Sequence, residues 1–321
     1  MQSRRHPIDN GAGWRLSLHQ TWDEARLVRS RRPVLIVPGY GMNSFIFSYH
    51  PSGLSLEGYL VAQGFEVWRA DLRAQGGSER AGGGYKFALK DLALTDLGRV
   101  IDATLERTQS AADRVDILGA SLGGTLMFAH AALNPAHRMG SLVSIGSPVR
   151  WVAVHPLVRA AFASPDLIGA LRFRGTRMLA ERALPPLARY APRLLSIYMN
   201  HEITDTSAAR EMAKTVEDPN RHINREIARW IHDKDLVIDG VNVSSALTDV
   251  THPLLCILAN RDGVVPRSTA AFPFEQARSS SKTLLEVGTS RIAMAHADLF
   301  VSKESHERVF QPLSEWLAQH E

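Results

Sequence analysis

Short apolar runs alternate along this chain with segments of helical spacing. Val34-Leu35-Ile36-Val37 is an unbroken apolar run closed by Pro38-Gly39, and it is the first buried strand the pattern predicts. Leu56–Gln63 reads as a helix stopped by Gly64, and Phe65-Glu66-Val67-Trp68 as the next strand. From Phe87 to Arg107, Leu89, Leu92, Leu97, Val100, Ile101 and Leu105 recur at near-helical intervals. Arg114–Leu118 predicts a strand running into Gly119, Leu122–Leu133 a helix ended by Asn134-Pro135, and Ser141–Ile145 another strand. The rhythm changes between Trp151 and Ala246, where no buried strand is predicted and helical stretches such as Leu167–Ala180 and Ile223–Ile231 are broken by prolines. Strands return at Leu254–Leu258 and Thr283–Val287, and a last amphipathic helix spans Glu304–Ala318.

Strands alternating with helices predict an α/β fold with a mostly parallel sheet. The interruption divides the chain into a core, 1–150 with 247–321, and a helical cap, 151–246. Across 321 residues, 45% apolar content is enough for a sizeable core and excludes global disorder. No window holds the roughly 18 apolar residues of a membrane span, and the basic start at Met1–Pro7 leads into no apolar stretch of the kind a signal peptide carries. The single Cys256 has no internal disulfide partner, so a reducing, cytoplasmic location is expected. The net charge of +4 comes with arginines spread along the whole chain and no helix-turn-helix or zinc-finger signature, so nucleic acid is not an expected partner. Gly82-Gly83-Gly84 precedes Tyr85-Lys86-Phe87 and reads as a flexible loop, not a phosphate cradle.

Candidate chemistry centres on Gly119-Ala120-Ser121-Leu122-Gly123, a G-x-S-x-G pattern with a strand before it and a helix after it. That setting puts a serine on a sharp turn, with the Leu122 amide at a helix N-terminus where negative charge is favoured. A serine hydroxyl needs a base, and the base an orienting carboxylate. Asp262 directly follows the Leu254–Leu258 strand and His296 comes soon after Thr283–Val287, in the order acid then histidine. Asp298 is the rival carboxylate, expected to cap locally; His252, His306 and His320 fit less well. An oxyanion needs two N–H donors; Leu122 offers one, and Tyr40, in the turn after Val34–Val37, is expected to offer the other.

The elbow, Asp262, His296 and the Pro38-Gly39-Tyr40-Gly41 turn together resemble the α/β-hydrolase superfamily over all but about the first twenty residues. Asp71-Leu72-Arg73-Ala74-Gln75-Gly76-Gly77-Ser78 is similar to a D-x-R-G-x-G-x-S loop of that superfamily, departing from it at Ala74 and Gln75. Val37–Asn43, Leu56–Leu60 and Gly64–Trp68 resemble the polyhydroxyalkanoate synthase-like and acid-lipase-like branches, although the synthases carry a cysteine where this chain has Ser121. The resemblance implies hydrolysis of a small, apolar carboxylic ester through an acyl-enzyme, without metal or organic cofactor, with Leu167 and Leu171 as candidate pocket residues of the cap. Acyl transfer or thioester cleavage is the alternative, and a non-catalytic binding protein would be expected to lack one of the three residues.

Overall fold

Alternation within each strand decides which side of the sheet a residue joins: Val34 and Ile36 enter one apolar layer, Leu35 and Val37 the other. A computed structural model describes residues 1–320. Its strands are β1 (Gln2–Asp9), β2 (Trp14–Trp22), β3 (Val34–Val37), β4 (Val67–Asp71), β5 (Glu79–Arg80), β6 (Val115–Ala120), β7 (Met139–Ile145), β8 (Val237–Ile238), β9 (Val241–Asn242), β10 (Leu254–Ala259) and β11 (Lys282–Val287). The main sheet runs β1-β2-β4-β3-β6-β7-β10-β11, with β5 beside β2; β8 and β9 form a separate hairpin. From β4 to β11 every pairing is parallel, whereas β2 pairs antiparallel with β1, β4 and β5. The order reverses between β3 and β6, so a crevice opens at the carboxyl ends of those two strands.

Helices α1 (Leu56–Ala62), α2 (Leu97–Arg107) and α3 (Leu122–Leu133) link the first half of the sheet. The segment between β7 and β10 carries α4 (Pro156–Ala161), α5 (Pro165–Ala170), α6 (Thr176–Tyr190), α7 (Ala209–Met212), α8 (Arg221–Asp233) and α9 (Val243–Ala246). The chain ends through α10 (Arg267–Gln276), α11 (Asp298–Val301) and α12 (Gln311–Gln319). No helix among the described residues is long and apolar enough to cross a membrane.

Three differences from the expected elements have physical causes. The first buried strand is not Val34–Val37 but Trp14–Trp22, and Gln2–Asp9 pairs along its length with it. β1 buries only Ile8, so it carries almost no apolar signal, and the ladder to β2 alone makes it a strand. The strand expected at Phe65–Trp68 runs instead from Val67 to Asp71, because Arg69 and Asp71 are buried among polar partners. The helix expected over Leu167–Ala180 breaks in two: Leu171 turns extended after α5, and Gly175 at φ +73° starts α6. The far end of the insertion is also less separate than its composition implies. Ile223, Ile227, Trp230 and Ile231 of α8 join the same apolar layer as Leu126 of α3, and the Trp230 indole donates to Val149 O at 3.0 Å.

Candidate active site

Five adjacent parallel strands, β3, β6, β7, β10 and β11, end at one edge of the sheet, and each delivers part of one site. β6 passes through Ser121 into α3 with almost no connecting chain. Ser121 takes φ +51° and ψ −121°, a region that costs a non-glycine residue about 1–3 kcal/mol. Strand and helix lie so close that a Cβ on Gly119 would stand 2.3 Å from the Gly124 Cα, which is why small residues flank the serine. The strain is held by the hydrogen bond from the Ser121 amide to Ile145 O, 2.8 Å, on β7.

The next residue after Ile145, Gly146, sits at φ +56°, and a Cβ there would come 3.1 Å from His296 Cε1 and 3.4 Å from Asp262 Oδ2. Ser121, His296 and Asp262 thus meet around one peptide, Ile145-Gly146. Sequence reasoning missed Gly146; the signal was a glycine closing the β7 strand. Asp262 and His296 are both buried, and Asp262 Oδ2 lies 2.6 Å from His296 Nδ1. Asp262 Oδ1 accepts from the amides of Val264 and Val265, each at 2.8 Å, which fixes the carboxylate plane. The rival Asp298 is turned elsewhere: it accepts from Ala295 N, Asn200 N and Thr204 Oγ1. Burial raises its pKa, against the pull of those hydrogen bonds. His252, His306 and His320 lie away from this centre, against His137, Leu54 O and Ser281 respectively.

The β3 loop carries the remaining expected residues. A Cβ on Gly39 would stand 2.9 Å from Ser121 Cβ, so the Gly39-Tyr40 backbone abuts the serine. Leu122 is the first residue of α3, and N–H groups there have no acceptor inside the helix. The Tyr40 hydroxyl donates to Asn224 Oδ1 at 2.6 Å, and burial pushes its pKa well above the ordinary phenol value. The Asp71–Ser78 loop braces this turn: Asp71 accepts from Ser44 N, and Gln75 Nε2 donates to Gly39 O.

The insertion holds the site from above. Asn43 N donates to Thr215 O, Glu217 N to Gly41 O, Gly263 N to Ile197 O, and Ala297 N to Tyr198 O. The Tyr198 ring centre lies 6.0 Å from that of His296, and burial, followed by Asp262 and Asp298, pushes its phenol up to about 12. Between insertion and β3 loop lies an apolar cavity of about 290 Å³, lined by residues including Met42, Leu184, Leu195, Tyr198, Met199 and Met212. Leu167 and Leu171, the expected pocket residues, do not line it; they are exposed, at 65% and 45%. Helical spacing marks an apolar face without telling which neighbour covers it. Among the described residues no cluster of His, Cys, Asp and Glu is arranged to hold a metal.

Known proteins resemble this chain in sequence and in fold. The chain is 24% identical over 280 residues to a pimeloyl-[acyl-carrier protein] methyl ester esterase of Vibrio campbellii, covering 83% of this chain and 91% of that one. Its fold is similar to a meta-cleavage product hydrolase from Pseudomonas fluorescens (TM-score 0.66, 16% identity, 99% and 98% of the two chains). It is similar also to a thermophilic esterase from Thermogutta terrifontis (TM-score 0.63, 18% identity, 99% and 100%). The fold is thus that of an α/β-hydrolase, and since the model of the family described as serine aminopeptidase, S33, matches residues 29–288, the chain belongs to that family.

Proposed function

We propose that this protein hydrolyses carboxylic esters through an acyl-enzyme on Ser121. The observation that carries the reading is the meeting of the strained Ser121 turn and the buried Asp262–His296 pair around Gly146. Ser121 attacks the carbonyl carbon while His296 takes its proton, and Asp262 fixes the imidazole tautomer. The Tyr40 and Leu122 amides face the developing oxyanion. The acyl or alcohol chain enters the cavity beneath the insertion, which acts as the cap. That lining favours an apolar ester over a peptide with a free amino terminus, because no Asp or Glu among the described residues lines it to hold an ammonium group. The Vibrio relative, a methyl ester esterase by name, points the same way. The buried, unpaired Cys256 suits a reducing compartment such as the cytoplasm.

Activity-based labelling tests this. A fluorophosphonate should modify Ser121 in the folded protein, and Ser121→Ala should abolish labelling and lower kcat on p-nitrophenyl butyrate by about 10⁴–10⁶-fold. Labelling at another residue with activity intact would refute the assignment.

A further inference from the structure

The β3 loop separates two spaces. On one side lies the apolar cavity; on the other, a narrow neck lined by Gly39, Tyr40, Gln75 and Leu122 runs beneath Glu217–Asn220. The neck opens into a cleft of about 800 Å³ between the core loop 74–86 and the cap, sharing Ala74, Gln75 and Glu217–Asn220 with it. Five cations line that cleft: Arg80 and Lys86 from the core, Arg172, Arg174 and Arg221 from the cap.

Isolated surface cations are ordinary; here five of them line one cleft. The two carboxylates lining the cleft are already engaged. Glu217 accepts from Arg177, Asn43 Nδ2 and Gly76 N. Asp218 accepts from Gly175 N, Thr176 N and Thr176 Oγ1. Among the described residues none of the five cations forms an ion pair with a carboxylate, and the cleft-lining Glu217 is paired instead with Arg177. The field reaches His222 in the same wall, whose pKa is lowered by burial and then by Arg221, Lys86 and Arg225. Guanidinium groups lining a concave surface can match phosphate oxygens in pairs.

We propose that this cleft binds the phosphate-bearing end of the substrate's leaving group, so that the preferred substrates are esters or thioesters of a phosphorylated alcohol or thiol. The inference rests on the acyl-enzyme reading above. The acyl chain lies in the apolar cavity, the carbonyl at Ser121, and the leaving group in the neck with its phosphates among the five cations. The Ser121 Oγ–carbon bond forms as the carbon–sulfur or carbon–oxygen bond breaks. The serine proton passes through His296 to the departing atom, and water then releases the acid and restores the serine.

Butyryl-coenzyme A and the butyryl thioester of N-acetylcysteamine present the same reacting thioester with and without phosphates. Wild type should favour the former in kcat/KM by about tenfold or more, and salt raised from about 50 to 300 mM should shrink the ratio. Arg172→Glu with Arg174→Glu should collapse it; if that pair fails to fold, Arg80→Ala with Lys86→Ala tests the opposite wall. Calorimetric binding of butyryl-coenzyme A to the Ser121→Ala protein, with and without the charge reversals, needs no turnover. Equal use of the two thioesters, or binding indifferent to salt and to both pairs of substitutions, would overturn the proposal even with Ser121 labelled. Phosphate-dependent binding in a protein whose Ser121 does not react would instead leave the cleft standing and remove the acyl-enzyme.

Discussion

Asp262 uses its two oxygens differently, and that difference makes its replacement informative. Oδ1 takes the Val264 and Val265 amides, while Oδ2 faces His296 Nδ1. In Asp262→Asn the carbonyl oxygen can keep the backbone bonds, which leaves the amide NH₂ against Nδ1 and forces the wrong tautomer; kcat should fall by about 10⁴. Asp298→Asn should cost stability with at most about a tenfold loss in kcat, since Asp298 only braces backbone and Thr204. Parallel steady-state assays and melts check this, and a dead Asp298→Asn beside a near-normal Asp262→Asn would reverse the roles. Cys256 is the counter-example: burial in β10 pushes its thiol up to about 12, so no thiolate is available as a nucleophile. Cys256→Ala should keep full activity and lose about 1 kcal/mol of stability from the small void. Substrate-protected inactivation by a thiol reagent, abolished by this substitution, would contradict it.

At the scale of elements, the sequence was most legible where burial is two-sided. The bounds of Leu122–Leu133 are readable in the sequence, because the glycine pattern before it and Asn134-Pro135 after it act locally. β2 was missed although Trp14, Leu16 and Leu18 alternate with Arg15, Ser17 and His19, a usable period-two signal hidden beside the charged β1. The pocket was illegible for another reason. Met212 and Leu195 reach the cavity, and Leu167 does not, only because the chain turns between α5 and α6 and brings α7 over Met42. Burying acyl methylenes there is worth about 0.8 kcal/mol each, so two should raise kcat/KM by roughly tenfold until the space is full. Met212→Trp should move the preferred p-nitrophenyl ester toward acetate while labelling of Ser121 persists. Leu167→Trp and Leu171→Trp, exposed on the cap, should leave the profile from acetate to laurate unchanged. A shift with Leu171→Trp and none with Met212→Trp would place the chain elsewhere.

For the whole molecule, several buried or half-buried imidazoles bear on acid stability. His19, His50, His130, His137 and His252 all have lowered pKa values, with burial the leading cause in each. His137 falls furthest, to about 4, through burial and then His252, His130 and Arg114. An unfolded chain binds this proton near pH 6.5. Between about 6.5 and 4 the unfolded state therefore holds more protons, so stability drops as the pH falls across that window and levels off below it. Asp116, Asp298 and Glu226, raised by burial, act with the opposite sign, since acid relieves their buried charge. The net slope mixes both, so the informative quantity is a difference. His137→Gln removes one imidazole and should flatten the fall between about pH 6.5 and 4 by about 1 kcal/mol, a value reduced for a ring that is only half buried. Urea unfolding at about pH 7 and about pH 4.5, for wild type and variant, measures it. Parallel pH dependence in the two proteins would mean that His137 is protonated as readily folded as unfolded, and that acid stability is set by the other histidines and the buried carboxyl groups.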